Sequence, residues 1–132
     1  MNSAALINLY YWLSPVFLIL YSSAGLDMRI SIPGASPAWH YLYLGACFLL
    51  PCVLIKRPTA RALFALGESS VNIFLLLYGL LNRYFQQLDA LSNGMEGPGI
   101  INSTDILHFA LAASVLALGF YGNPLVRTKA LD

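Results

Sequence analysis

Glu68 is the only carboxylate inside a long apolar stretch of this sequence, with Asn72 one helical turn after it and Arg61 two turns before it. The three belong to a file read at steps of four and three: Arg61, Ala65, Glu68, Asn72, Leu75, Gly79, Asn82 and Gln86. At about 100° per residue these positions share an arc of roughly 100°, while the rest of the circumference is mainly Leu, Phe, Ile, Val and Tyr. An acid at mid-membrane costs about 2.5–3.5 kcal/mol even on insertion scales, so Glu68 must be neutralised, paired or wet. Two chemistries fit it. Either Glu68 with Asn72 binds a proton or a cation near the cytoplasmic side, or the pair is a hydrogen-bonding node between helices. By depth, Asn8, Tyr10 and Tyr11 are the expected partners across the bundle. Further along the file, Gly79 predicts close approach of a neighbouring backbone, and Asn82 a bond to another helix.

A second file, Asp105, His108, Ala112, Val115, Gly119 and Gly122, has the same spacing and the small residues that favour close helix packing. In an antiparallel pair Asp105 and His108 come level with Asn82, Arg83 and Gln86, which predicts an Arg83–Asp105 ion pair. His40 and His108 lie near the same end of their segments, where facing histidines can hold a haem iron or simply present polar rings at an interface. No CxxCH, P-loop, GxSxG, HExxH or dinucleotide fingerprint is present, so no catalytic residue, other metal site or further cofactor is expected. Cys47 and Cys52, about 140° apart on one helix, cannot pair with each other and are expected to pack as small residues.

These residues need helices to hold them, and the composition says in what solvent. Of 132 residues, 58% are hydrophobic and 10% charged, with a mean hydropathy of +0.68. Soluble domains carry about 25% charge, and disordered chains lack large apolar residues, so the surrounding medium is lipid. The net charge of +1 gives no case for nucleic acid. Four segments approach the roughly 20 apolar residues that cross a bilayer: 4–24, 39–55, 60–85 and 103–121. Ser14-Pro15 interrupts the first and Pro51 lies in the second. Each proline frees a carbonyl, of Tyr11 and Cys47 respectively, for which a neighbouring helix or hydroxyl must substitute. The first span is expected to be retained and not cleaved, because no Lys or Arg precedes it and Asn8 breaks its apolar core.

Orientation follows from the basic residues. Lys56, Arg57, Arg61, Arg127 and Lys129 share one side and only Arg29 and Arg83 the other, which predicts both termini in the cytoplasm. The short Lys56–Thr59 connection predicts a tight antiparallel hairpin. The alternation over residues 26–32 reads as a short strand lying on the bundle or offering an edge to another subunit. Asn102 with Asp105 reads as a capping box, which explains the Asn-Ser-Thr triplet better than glycosylation does. Trp12, Trp39, Tyr41 and Tyr43 read as interface anchors.

The sequence therefore predicts one all-α domain over residues 1–132, an integral membrane four-helix bundle of a bacterial-type inner membrane with lipid as its main partner. Its small interior favours a non-catalytic accessory or assembly subunit, docking on copies of itself or on a larger membrane complex. A transporter or channel component with its proton or cation site at Glu68 is the second reading, and a bis-histidine haem carrier the third.

Overall fold

The first apolar stretch folds as two helices, α1 (Ser3–Trp12) and α2 (Ser14–Ala24), because Pro15 has no N–H to continue the ladder. The freed Tyr11 carbonyl accepts a bond from Ser14 Oγ at 2.7 Å, the nearby hydroxyl that a membrane kink requires. The computed structural model describes residues 3–26, 29, 36–54, 56–97, 99–123 and 126. Three more helices follow: α3 (Pro37–Leu54), α4 (Pro58–Ser92) and α5 (Ser103–Tyr121). They form an all-α four-helix bundle in which Ser3–Ala24, with its kink, counts as one helix, and all four are long and apolar enough to cross a membrane. No strand is present among the described residues. Most of the alternating segment, and both Arg127 and Lys129, lie outside the described residues.

The ends of the helices follow from local chemistry. Gly25, at a left-handed φ of 62°, closes α2 with its N–H on Tyr21 O, and the Leu26 N–H reaches Leu20 O. α3 runs through Pro51 without interruption. α4 continues past Phe85, where the apolar file predicted its end, because Gln86 to Ser92 contains no breaker before Gly94 at φ 68°. At 35 residues α4 is about 52 Å long, well beyond a hydrocarbon core of about 30 Å. α5 opens on the expected capping box, with Asp105 N–H on Asn102 Oδ1 at 2.9 Å and Asn102 N–H on Asp105 Oδ2 at 2.8 Å.

α4 and α5 make the most extensive contact, α1 packs against α3, α4 and α5, and α2 leans on α3. α3 and α4, although joined by the tight connection, touch only sparingly. The core collects Ile7, Tyr10, Tyr11, Cys47, Ala65 and Val115. Cys47 packs there as expected, whereas Cys52 is exposed. The outer surface is Leu, Val, Ile, Phe and Trp, with Trp12, Trp39 and Tyr41 among the exposed side chains. The hydroxyls of Ser22, Ser23, Ser70 and Ser114 turn back onto carbonyls of their own helices. Such back-bonding satisfies a hydroxyl where the surroundings offer no water.

Candidate functional site

The first half of the polar file on α4 is buried and the second half is not. Arg61, Ala65, Glu68 and Asn72 are enclosed, while Asn82 and Gln86 are exposed. Because α4 begins at Pro58, Glu68 stands about 15 Å along the helix axis, nearly three turns from its start.

Glu68 is the acceptor at the centre of a buried network. Tyr11 donates to Oε2 at 2.6 Å, Tyr10 to Oε1 at 3.2 Å, and Tyr43 also to Oε1. Asn72 Nδ2 lies 3.5 Å from Oε1. An ion pair completes the set: Arg29 Nη2 meets Oε1 at 2.5 Å, with the two side chains only 1% and 2% exposed. Arg29 Nη1 donates to Ser14 Oγ at 2.8 Å, so the hydroxyl that repairs the proline kink also receives the guanidinium. Four rings surround Arg29 Cζ, with the Tyr10 centroid at 4.2 Å, Phe17 and Tyr43 at 5.5 Å and Tyr11 at 5.6 Å. Burial of such a pair is poor evidence of a stability role, since desolvating two ions offsets most of their attraction. Arg29 Nε, moreover, is buried with no hydrogen-bond partner among the described residues, a loss of about 1–3 kcal/mol for an unsatisfied donor.

Tyr10 and Tyr11 thus take the place expected of them. Asn8 instead accepts from Arg61 Nη1 at 2.8 Å, which occupies the cation on Glu68's own helix with a different partner. Three members of the site were not anticipated. Tyr43 points inward and is no interface anchor. Ser14 stands out in the sequence only through its proline. Arg29 is a loop charge by sequence, yet its guanidinium stands level with Ser14, ten residues before the end of α2.

Asn72 turns its amide nitrogen toward Glu68 and its Oδ1 toward His108 Nε2 at 3.4 Å, so its oxygen is not offered jointly with Glu68 to an ion. His108 therefore reaches deeper along α4 than the Asn82–Gln86 level expected. Its ring also borders a cavity of about 370 Å³ between α4 and α5, lined by Gly25, Gly79, Asn82, Arg83 and Asp105 among others. Arg83 Nη2 and Asp105 Oδ1 form the expected ion pair there, at 2.7 Å. The expectation for Gly79 is corrected: a Cβ built on it meets nothing within 4 Å among the described residues, so none of their backbone approaches it, and it lines the cavity. Asn82 lies exposed on the same cavity. Gly119 is where the helices do close, with a built Cβ only 3.2 Å from Ala62 O and Leu66 N.

The two histidines are not gathered into one site. His40 stacks on Tyr21 with centroids 4.1 Å apart, and His108 is turned to Asn72. Among the described residues no group of three His, Cys, Asp or Glu side chains stands ready for a metal ion. Comparison of the chain with family models, with curated proteins and with solved structures gives no match.

Proposed function

We propose that this is a multi-pass protein of a bacterial-type inner membrane, with both termini cytoplasmic, that acts as a small transporter or channel component using Glu68 to bind a proton or a cation. The observation that carries this is the convergence of Arg29 and hydroxyls from α1 and α3 on one buried carboxylate of α4. An ionisable side chain at this depth is costly, and the usual return for that cost is an ion or proton path. The cavity bordered by His108 supplies a polar approach, since His108 and Asn72 bridge it to Glu68. When Glu68 takes up a proton it loses the charge that holds Arg29, and the ties from α1 and α3 to α4 loosen together. Occupancy of one carboxylate thereby biases the packing of three helices. In this reading the chain makes and breaks no covalent bonds. Lys56, Arg57 and Arg61 about the α3–α4 connection, against Arg83 toward the other end of α4, support the orientation.

Glu68→Gln keeps the size and an acceptor oxygen but fixes the neutral form. In proteoliposomes carrying a pH-sensitive or cation-sensitive dye, the variant is expected to lose the flux that the unaltered protein supports. Equal flux from both would end the transport reading.

An assembly role through self-association is favoured by one separate observation. Beyond Arg83, which meets the start of α5, α4 continues through Ser92 and presents Tyr84, Phe85, Leu88 and Leu91 exposed along one side. At about 100° per residue these i, i+1, i+4 and i+7 positions fall within an arc of roughly 120°, one unpaired helix face. If it joins two copies, Leu88→Glu converts a dimer in mild detergent to a monomer by light scattering. A monomer before substitution would dispose of this role.

A further inference from the structure

Arg29 reaches its site from the connection after α2, yet what surrounds its guanidinium is built by the helices themselves. Tyr10 and Tyr11 come from α1, Ser14 and Phe17 from α2, Tyr43 from α3 and Glu68 from α4. The Glu68 carboxylate approaches one edge at 2.5 Å, and four aromatic rings stand 4.2–5.6 Å from Cζ. An acid framed by ring faces is the arrangement that recognises organic cations, through charge-assisted bonds and the quadrupole of the rings. It suits hard metal cations poorly, because they ask for six or more oxygen ligands, the phenol hydroxyls of Tyr10, Tyr11 and Tyr43 are turned to donate to Glu68, and the ring faces supply no further oxygen. Among the described residues the buried Nε has no hydrogen-bond partner, so the side chains that form the box do not satisfy every donor of its present occupant.

We infer that this box is a binding site for a guanidinium-type organic cation and that Arg29 is its tethered occupant, displaced when a free cation of that class enters. The inference deepens the proposed function and rests on it in taking Glu68 as the binding residue. Exchange of one cation for another leaves the carboxylate compensated before and after. Arg29 competes from within the same chain, and a short tether corresponds to an effective concentration in the millimolar range. The unaltered protein should therefore bind the free ligand weakly, and removal of the Arg29 side chain should expose the full affinity.

Arg29→Ala removes Cγ, Cδ and the guanidinium, a gap matched by ethylguanidinium. Titration calorimetry of the detergent-solubilised full chain with ethylguanidinium is expected to show binding about ten-fold tighter or more in Arg29→Ala than in the unaltered protein, as release from a tethered competitor requires. The Glu68→Gln/Arg29→Ala double variant should show none. If Arg29→Ala does not survive purification, Arg29→Lys carries the test, since its ammonium keeps the carboxylate paired but leaves the planar slot unfilled, and its affinity should lie above that of the unaltered chain. No binding to either variant at tens of millimolar ligand would overturn the inference. Binding without Glu68-dependent flux in liposomes would preserve the site and remove the transport reading, whereas flux without binding would do the reverse.

Discussion

Glu68→Ala is expected to destabilise the bundle by about 3–5 kcal/mol, because it strands a guanidinium that cannot give up its charge among four aromatic rings. Arg29 is 1% exposed and has no second acid among the described residues: its other bond goes to the neutral hydroxyl of Ser14. Three phenols lose their acceptor in the same step. The sign of the effect depends on which partner is left behind, so removing both ions tells more than removing one. A Glu68→Met/Arg29→Met double variant keeps apolar volume and no buried charge, and exchanging a buried pair for packed apolar groups is commonly neutral or stabilising by about 1–4 kcal/mol. Equilibrium unfolding in mixed micelles by SDS titration should therefore rank the double variant far above Glu68→Ala. If the two unfold alike, or if Glu68→Ala costs under about 1 kcal/mol, the Glu68–Arg29 pair is not the electrostatic centre of the bundle. A double variant that stays folded yet supports no flux would separate what the pair does from what holds the bundle together.

The helices were legible because lipid demands length and apolar composition, and both can be counted along a chain. Glu68 was legible for the same reason in reverse, as the one acid where none is cheap. Tyr10 and Tyr11 followed from depth alone, since residues equally far along opposed helices meet. Arg29 did not follow, because the reading of its segment rested on local alternation and on topological charge, and neither carries information about a turn back into the bundle. One signal was present: a buried acid needs a cation, Arg83 already has Asp105, and among the described residues Lys56, Arg57 and Arg61 lie at the α3–α4 connection, toward the opposite end. Elimination pointed to Arg29 against the assumption that loop residues stay in the loop. Tyr43 was hidden differently. α3 is apolar around its whole circumference, so nothing in its pattern distinguishes the side that carries Tyr43 and Cys47 inward. Sequence spacing also made Gly79 and Gly119 look equivalent, although which glycine a neighbour crosses depends on helix angle and kink.

That difference sets the second large effect, expected at Gly119. Here α5 lies so close to α4 that even a methyl group would stand 3.2 Å from Ala62 O and Leu66 N, both helix backbone atoms, and 3.1 Å from Leu66 Cγ. Leu66 can swing its side chain, but the backbone atoms move only if the helices part. Parting them loosens the contacts that small residues permit along the same interface, at Ala62, Ala65, Ala112 and Val115, all of them buried. Gly119→Leu is accordingly expected to cost about 1–3 kcal/mol, the range for overpacking a close contact, and Gly119→Ala less. His108 shares this face of α5, three turns away, so its bond to Asn72 should weaken as the helices separate. Gly79→Leu is the matched control, because among the described residues nothing lies within 4 Å of a Cβ there. It should leave the unfolding midpoint nearly unchanged while filling part of the cavity beside His108, so that stability is kept and flux falls. Two variants with equal midpoints in SDS titration would mean that α4 and α5 do not close at Gly119.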